Sequence, residues 1–146
     1  MQLETIIVPA TYKDIRIPAE QLRNMMFAGK QPEDIILGCE LALQELLTNL
    51  IDHAYRGDAA KFITIKLDCD ATRMLIETRD TGIPASIDLE KTKMPDPTDL
   101  AEGGYGLAII RSLMDEVNYK AENGMNIWQL IKHFNRTTGK EEFYGT

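Results

Sequence analysis

Apolar and polar positions alternate at two different periods along this chain, and the switches between them mark its elements. LETIIV (3 to 8) reads as a first strand closed by Pro9, and residues from Thr11 to about Phe27 take helical spacing through Ile15, Leu22, Met25 and Met26. Pro18 must either kink that helix or begin it. Pro32, with Glu33 and Asp34 behind it, opens a long helix running to about Tyr55. KFITIKLDC (61 to 69) and RMLIETR (73 to 79) carry the β-branched and aromatic residues of two strands, joined through a short turn as a hairpin.

An irregular stretch from Asp80 to Gly104, holding Pro84, Pro95 and Pro97, follows. Connections in compact domains usually run about 4–6 residues, so a loop of this length is expected to act as a lid. YGLAIIRSLMDEV then resumes helical spacing, and VNYKAENGMNIWQLIKHF gives two further strands turned at Asn123 and Gly124, a dipeptide suited to a tight hairpin. Residues 136–146 read as a polar tail. The order strand, helix, helix, two strands, lid, helix, two strands predicts an α+β fold: a two-layer sandwich of five mostly antiparallel strands with three helices on one face.

Length and charge narrow the picture. The 146 residues suit a single domain, and 44% hydrophobic with 27% charged residues is the composition of a globular chain. A net charge of −7 argues against nucleic-acid or anionic-membrane partners, which require clustered Lys and Arg. The N-terminus lacks the basic start and apolar run of a signal peptide, so a cytoplasmic location is expected. Cys39 and Cys69 lie too far apart for a metal or redox pair and are expected to be buried thiols.

Candidate chemistry begins in ELLTNLIDHAY. At about 100° per residue, Glu45, Asn49, Asp52 and Arg56 share one narrow sector, with Thr48 and His53 at its edges, while Leu46, Leu47, Leu50, Ile51 and Ala54 face the other way. Arg56 could approach phosphate or pair with Asp52, and the surface ion pair is the expected arrangement. Two other segments point to the same ligand. GGYG, opening a helix at Gly103, is a plausible phosphate seat, because backbone N–H groups at a helix start attract anions; the spacing is not that of a P-loop. DTG places the Asp80 carboxylate where it can accept from an exocyclic amine such as that of adenine, with Gly82 leaving room for a flat ring. Mg²⁺ commonly takes one or two protein oxygens beside phosphates and water, and Asn49 offers one. Glu45, one turn earlier, lies on the same face to act as a general base.

These segments carry a resemblance. ELLTNLIDHAYRGD is similar to the N box, RDTGIP to the first glycine box, and EGGYGLAIIRSLMDEVNY to the second glycine box of the GHKL ATPase superfamily. The compact length, HAY after the N box and the closing NGMNIWQLIK hairpin resemble the anti-sigma factor serine/threonine kinases, over roughly residues 3 to 134. The resemblance implies an ATP site in which Glu45 is the base and Asn49 holds Mg²⁺. Asp80 would read adenine beside Gly82, and Gly103, Gly104 and Gly106 would contact phosphate. His53 matches an N-box histidine of structural role. The resemblance further implies transfer of phosphate to a Ser or Thr of an anti-sigma-factor antagonist, control of a sigma factor, and a homodimer. Where many relatives carry an aromatic residue after the first glycine box, this chain has Ala85 and Ser86. A non-catalytic, nucleotide-switched binding module is therefore the alternative expectation, and simple ATP hydrolysis ranks third.

Overall fold

The computed structural model describes residues 2–85 and 105–134. The element order is β1 (Gln2–Pro9), α1 (Arg16–Ala28), α2 (Glu33–Asn49), a π-helical turn (Leu50–Ala54), β2 (Phe62–Cys69), β3 (Arg73–Asp80), α3 (Tyr105–Leu113), β4 (Glu116–Glu122) and β5 (Met125–His133). The strands form one sheet in the order β1-β2-β3-β5-β4, every neighbouring pair antiparallel. This is the expected α+β architecture.

Period-two burial drives the sheet. In β2, Ile63, Ile65, Leu67 and Cys69 are buried while Thr64, Lys66 and Asp68 between them are less so, and Met74 and Ile76 continue the inward row on β3. Against these pack Leu22 and Met26 of α1, Leu43, Leu46 and Leu47 of α2, and Ile110 of α3, in one hydrophobic cluster. The central helix α2 touches both α1 and α3. Cys39 and Cys69 are both buried free thiols, and burial pushes the Cys39 thiol up to about 12, which leaves it inert.

Three boundaries differ from the sequence reading for local reasons. Helix α1 starts at Arg16 rather than near Thr11, because Thr11 and Asp14 hydrogen-bond each other's side chain and backbone in a turn ahead of it. Pro18 then sits in the first helical turn, where its missing N–H costs nothing. Helix α3 stops at Leu113, and Glu116 and Val117 belong to β4. The α-helical part of the second helix ends at Asn49, and the turn that follows is π-helical. The β4–β5 turn is as expected: Asn123 and Gly124 take φ of 55° and 77°, between the paired Glu122 and Met125. The lid beyond Ala85 and the tail 136–146 lie outside the described residues.

Candidate functional site

Helix α2 supplies one end of the site. Glu45 and Asn49 are half-buried, one α-helical turn apart, and their side chains end against the start of α3. A methyl group in place of the Gly106 hydrogen would stand 3.0 Å from Glu45 Oε2, 3.1 Å from Asn49 Nδ2 and 3.2 Å from Asn49 Oδ1. A side chain at 106 would push the ends of the acid and the amide aside. The segments around 45–49 and 106, distant in sequence, therefore meet. Gly103 and Gly104 lie outside the described residues.

The polar stripe does not continue as the helical wheel predicts. At the π turn Tyr55 N–H donates to Leu50 O (2.9 Å), so an extra residue enters the turn and later positions fall behind the 100° schedule, and Gly57 N–H closes the helix end on Ile51 O (2.8 Å). Asp52 accepts from the Tyr12 hydroxyl instead of pairing with Arg56. Arg56 leaves the helix with a φ of 51°, and its side chain is exposed. His53, expected to be structural, is exposed. That role falls to Tyr55, which the widened turn brings into the core. Its hydroxyl donates to Phe62 O (2.8 Å) and accepts from Thr81 N–H (2.8 Å), tying the helix end to β2 and to the residue after Asp80.

The second end is built at the close of β3. Asp80 is only 2% exposed. Its Oδ1 accepts from Gly82 N–H (2.9 Å) and Asn126 Nδ2 (2.8 Å), while Oδ2 is buried with no partner among the described residues. Burial raises the carboxyl's pKa, opposed by those two hydrogen bonds. A buried carboxylate oxygen without a donor is costly. It fits a ligand that brings an N–H, as an adenine amine does.

Gly82 is also required by the protein's own packing. A methyl group there would lie 2.4 Å from Ala54 O, 2.6 Å from Ala54 C and 2.8 Å from Ala54 Cβ, so the backbone at Ala54 fills the position a side chain would take. The next residue, Ile83, donates its N–H to that same carbonyl at 2.7 Å. An open depression of about 300 Å³ between Thr81–Pro84 and the β4–β5 turn is bordered by Gly82 and Asn126 but not by Asp80.

Asn126 and Tyr119 were missed. Both face the helices from the last hairpin: Asn126 is 3% exposed, and the Tyr119 hydroxyl donates to its Oδ1 (2.9 Å) while accepting from Ala85 N–H (2.8 Å). The signal was present in MNIWQL, where Asn126 shares its face with Trp128 and Leu130 and so must be a buried polar group in need of partners. Among the described residues, no group of three His, Cys, Asp or Glu could hold a metal unaided. A single amide oxygen at Asn49 suits a Mg²⁺ ion whose other ligands arrive with a nucleotide.

Comparison with known proteins agrees with this geometry. The profile of the histidine kinase-like ATPase domain matches residues 8–132. The serine-protein kinase RsbW of Bacillus mycoides is 31% identical over 121 residues, covering 77% of this chain and 72% of that protein. RsbW of Staphylococcus aureus (strain JH9) is 32% identical over 129 residues, covering 82% and 80%. Among solved structures, the RsbU and RsbW domains of Rv1364c from Mycobacterium tuberculosis superpose with a TM-score of 0.66 at 18% identity over 90% of this chain, which spans about a third (32%) of that longer one. The SiaB–SiaC complex from Pseudomonas aeruginosa gives a TM-score of 0.60 at 15% identity, covering 90% and 89%. With the fold and these relatives in agreement, the chain belongs to the histidine kinase-like ATPase family, in the branch of the RsbW anti-sigma factor kinases.

Proposed function

We propose that this protein is a Mg·ATP-dependent serine/threonine kinase that phosphorylates an anti-sigma-factor antagonist and thereby regulates a sigma factor. The observation that carries the reading is the closure of α3 onto Glu45 and Asn49 at Gly106: an acid and an amide from one helical turn stand beside the helix start that follows the glycine-rich segment. Glu45 takes the proton of the incoming Ser or Thr hydroxyl, and Asn49 Oδ1 would be the protein ligand to Mg²⁺, which would neutralise charge on the transferred phosphate. Asp80 Oδ2 would accept a hydrogen bond from the adenine amine. Gly103, Gly104 and Gly106 complete the phosphate seat, and Gly82 fixes the turn behind Asp80.

The relatives support the partner class. Those from Bacillus and Staphylococcus are serine-protein kinases, and SiaB is described in complex with SiaC, so a protein acceptor suits this chain better than water. We extend the same reading to a sigma factor as second partner, a homodimer and a cytoplasmic site of action. No helix among the described residues is long and apolar enough to cross a membrane.

The test is transfer from radiolabelled ATP to candidate antagonists, chosen by pull-down from the source cell with and without ATP. Glu45→Gln abolishes transfer and keeps ATP binding close to wild type; Asn49→Ala loses the Mg²⁺-dependent part of binding. Transfer by Glu45→Gln at the wild-type rate would show that the base is another residue. ATP binding without transfer to any partner would point instead to a nucleotide-switched binding module.

A further inference from the structure

Asn126 lies 46 positions along the chain from Asp80, on a strand that contributes none of the residues assigned above. Its amide is oriented without ambiguity. Nδ2 donates to two groups that can only accept, Asp80 Oδ1 (2.8 Å) and Gly82 O (3.0 Å). That leaves Oδ1 to accept from the Tyr119 hydroxyl, whose own oxygen receives the Ala85 N–H. The donor direction therefore runs one way, from Ala85 through Tyr119 and Asn126 to Asp80. Reversing the amide would set an N–H against the tyrosine hydroxyl and an oxygen against a carboxylate.

With both N–H hydrogens spent inside the protein, Asn126 has no donor left for a ligand. Its effect is on Asp80. Together with Gly82 N–H it saturates Oδ1 and holds the carboxylate plane, which leaves the buried Oδ2 as the oxygen without a partner among the described residues. A carboxylate released from this clamp would turn about its side-chain bonds and offer either oxygen to water, to Gly82 N–H or to a base without preference.

We infer that Asn126, held by Tyr119 and Ala85, is a positioning residue for purine specificity: it aims Asp80 Oδ2 at the exocyclic amine, so the pocket distinguishes an aminopurine from a purine lacking that amine. This rests on the nucleotide-binding reading above. Tyr119 has a second anchor, its ring lying 4.5 Å from that of Trp128, so removing its hydroxyl leaves its packing in place.

The experiment measures dissociation constants of the full chain for ATP and for purine riboside triphosphate, which differs only in lacking the amine. A hydrogen bond to a charged group contributes enough that the wild type should prefer ATP by on the order of 10- to 100-fold. Asn126→Leu keeps the branched shape of the side chain, at a larger volume, but not the donors, and should bring the two constants to within about 3-fold, chiefly by weakening ATP. Tyr119→Phe should give an intermediate ratio, and it decides the matter if Asn126→Leu does not fold. Parallel weakening of both nucleotides with the wild-type ratio preserved, in Tyr119→Phe and in any folded Asn126 variant, would overturn the inference and leave the proposed function standing. A wild type that binds both nucleotides equally would overturn the assignment of Asp80 Oδ2 to the amine and this inference with it, while one that binds neither would overturn the nucleotide-binding reading itself.

Discussion

Replacing Gly82 by alanine tests the contact that joins the two ends of the site. The added carbon would sit 2.4 Å from Ala54 O and within 3 Å of two further Ala54 atoms, one of them also backbone. None of these is the far end of a flexible side chain, so relief requires the 82–83 segment to withdraw by about 1 Å to reach ordinary contact distance. That movement stretches the Ile83 N–H to Ala54 O bond, now 2.7 Å, beyond useful hydrogen-bond length. Overpacking of this kind costs about 1–3 kcal/mol, and the lost bond about 0.5–1.5 kcal/mol more, so a total of roughly 2–4 kcal/mol is expected.

Urea unfolding followed by circular dichroism reads the effect. At an m-value of about 2 kcal/mol/M, the midpoint of Gly82→Ala should fall by roughly 1–2 M with the slope unchanged. Gly29→Ala is the control. Gly29 has an ordinary φ of −81°, and a methyl there would meet only the Met25 and Met26 carbonyl oxygens at 3.5 and 3.6 Å. Its midpoint should move by no more than about 1 kcal/mol in equivalent stability, in either direction. Equal midpoints for the two variants would refute the claim that the backbone at residue 82 is locked against Ala54.

Two other substitutions separate stability from chemistry. Gly106→Ala meets only the ends of the Glu45 and Asn49 side chains, which can swing aside, and alanine favours the helix over glycine by about 1 kcal/mol; the fold should hold while phosphoryl transfer drops on the order of 10²-fold, as a misplaced base requires. Asp80→Asn keeps an acceptor for Gly82 and Asn126 but removes a buried charge, so nucleotide affinity should be lost while thermal stability at pH 7 rises. The sign with pH follows from the cause: burial raises the carboxyl's pKa, so the ionised form costs stability at neutral pH and the neutral form does not. The stability advantage of Asp80→Asn should therefore shrink as pH falls through that raised pKa. An advantage that is constant or grows on acidification would show that the carboxylate is not penalised in the folded state.

Local features of the site were legible in the sequence and long-range ones were not. The i, i+4 spacing of Glu45 and Asn49 survives folding because a single α-helical turn fixes it whatever surrounds it. Arg56 departed from the stripe because i→i+5 bonding and a left-handed residue end the helix there, which polarity does not announce: Leu50, Ile51 and Ala54 are apolar and buried in the π turn, as the α-helical wheel also expected. Asn126 could be recognised as a buried polar residue from strand alternation, but its partner Asp80 is set by the β3–β5 register, in which the two residues stand opposite each other.

The widened turn is also what relates the two ends. It carries Tyr55 to Thr81 N–H and turns the Ala54 carbonyl toward Ile83 N–H, so the loop after Asp80 is fastened to the end of the same helical unit that presents Glu45 to Gly106. From Glu45 to Ala54 the axial rise, at about 1.5 Å per residue, is about 13 Å. A free phosphate or a metal ion is too short to touch both ends. A ligand that satisfies Asp80 Oδ2 and also reaches the Glu45–Asn49 pair must be elongated, with an N–H donor at one end and a group that interacts with an acid and an amide at the other. A nucleoside triphosphate has that form.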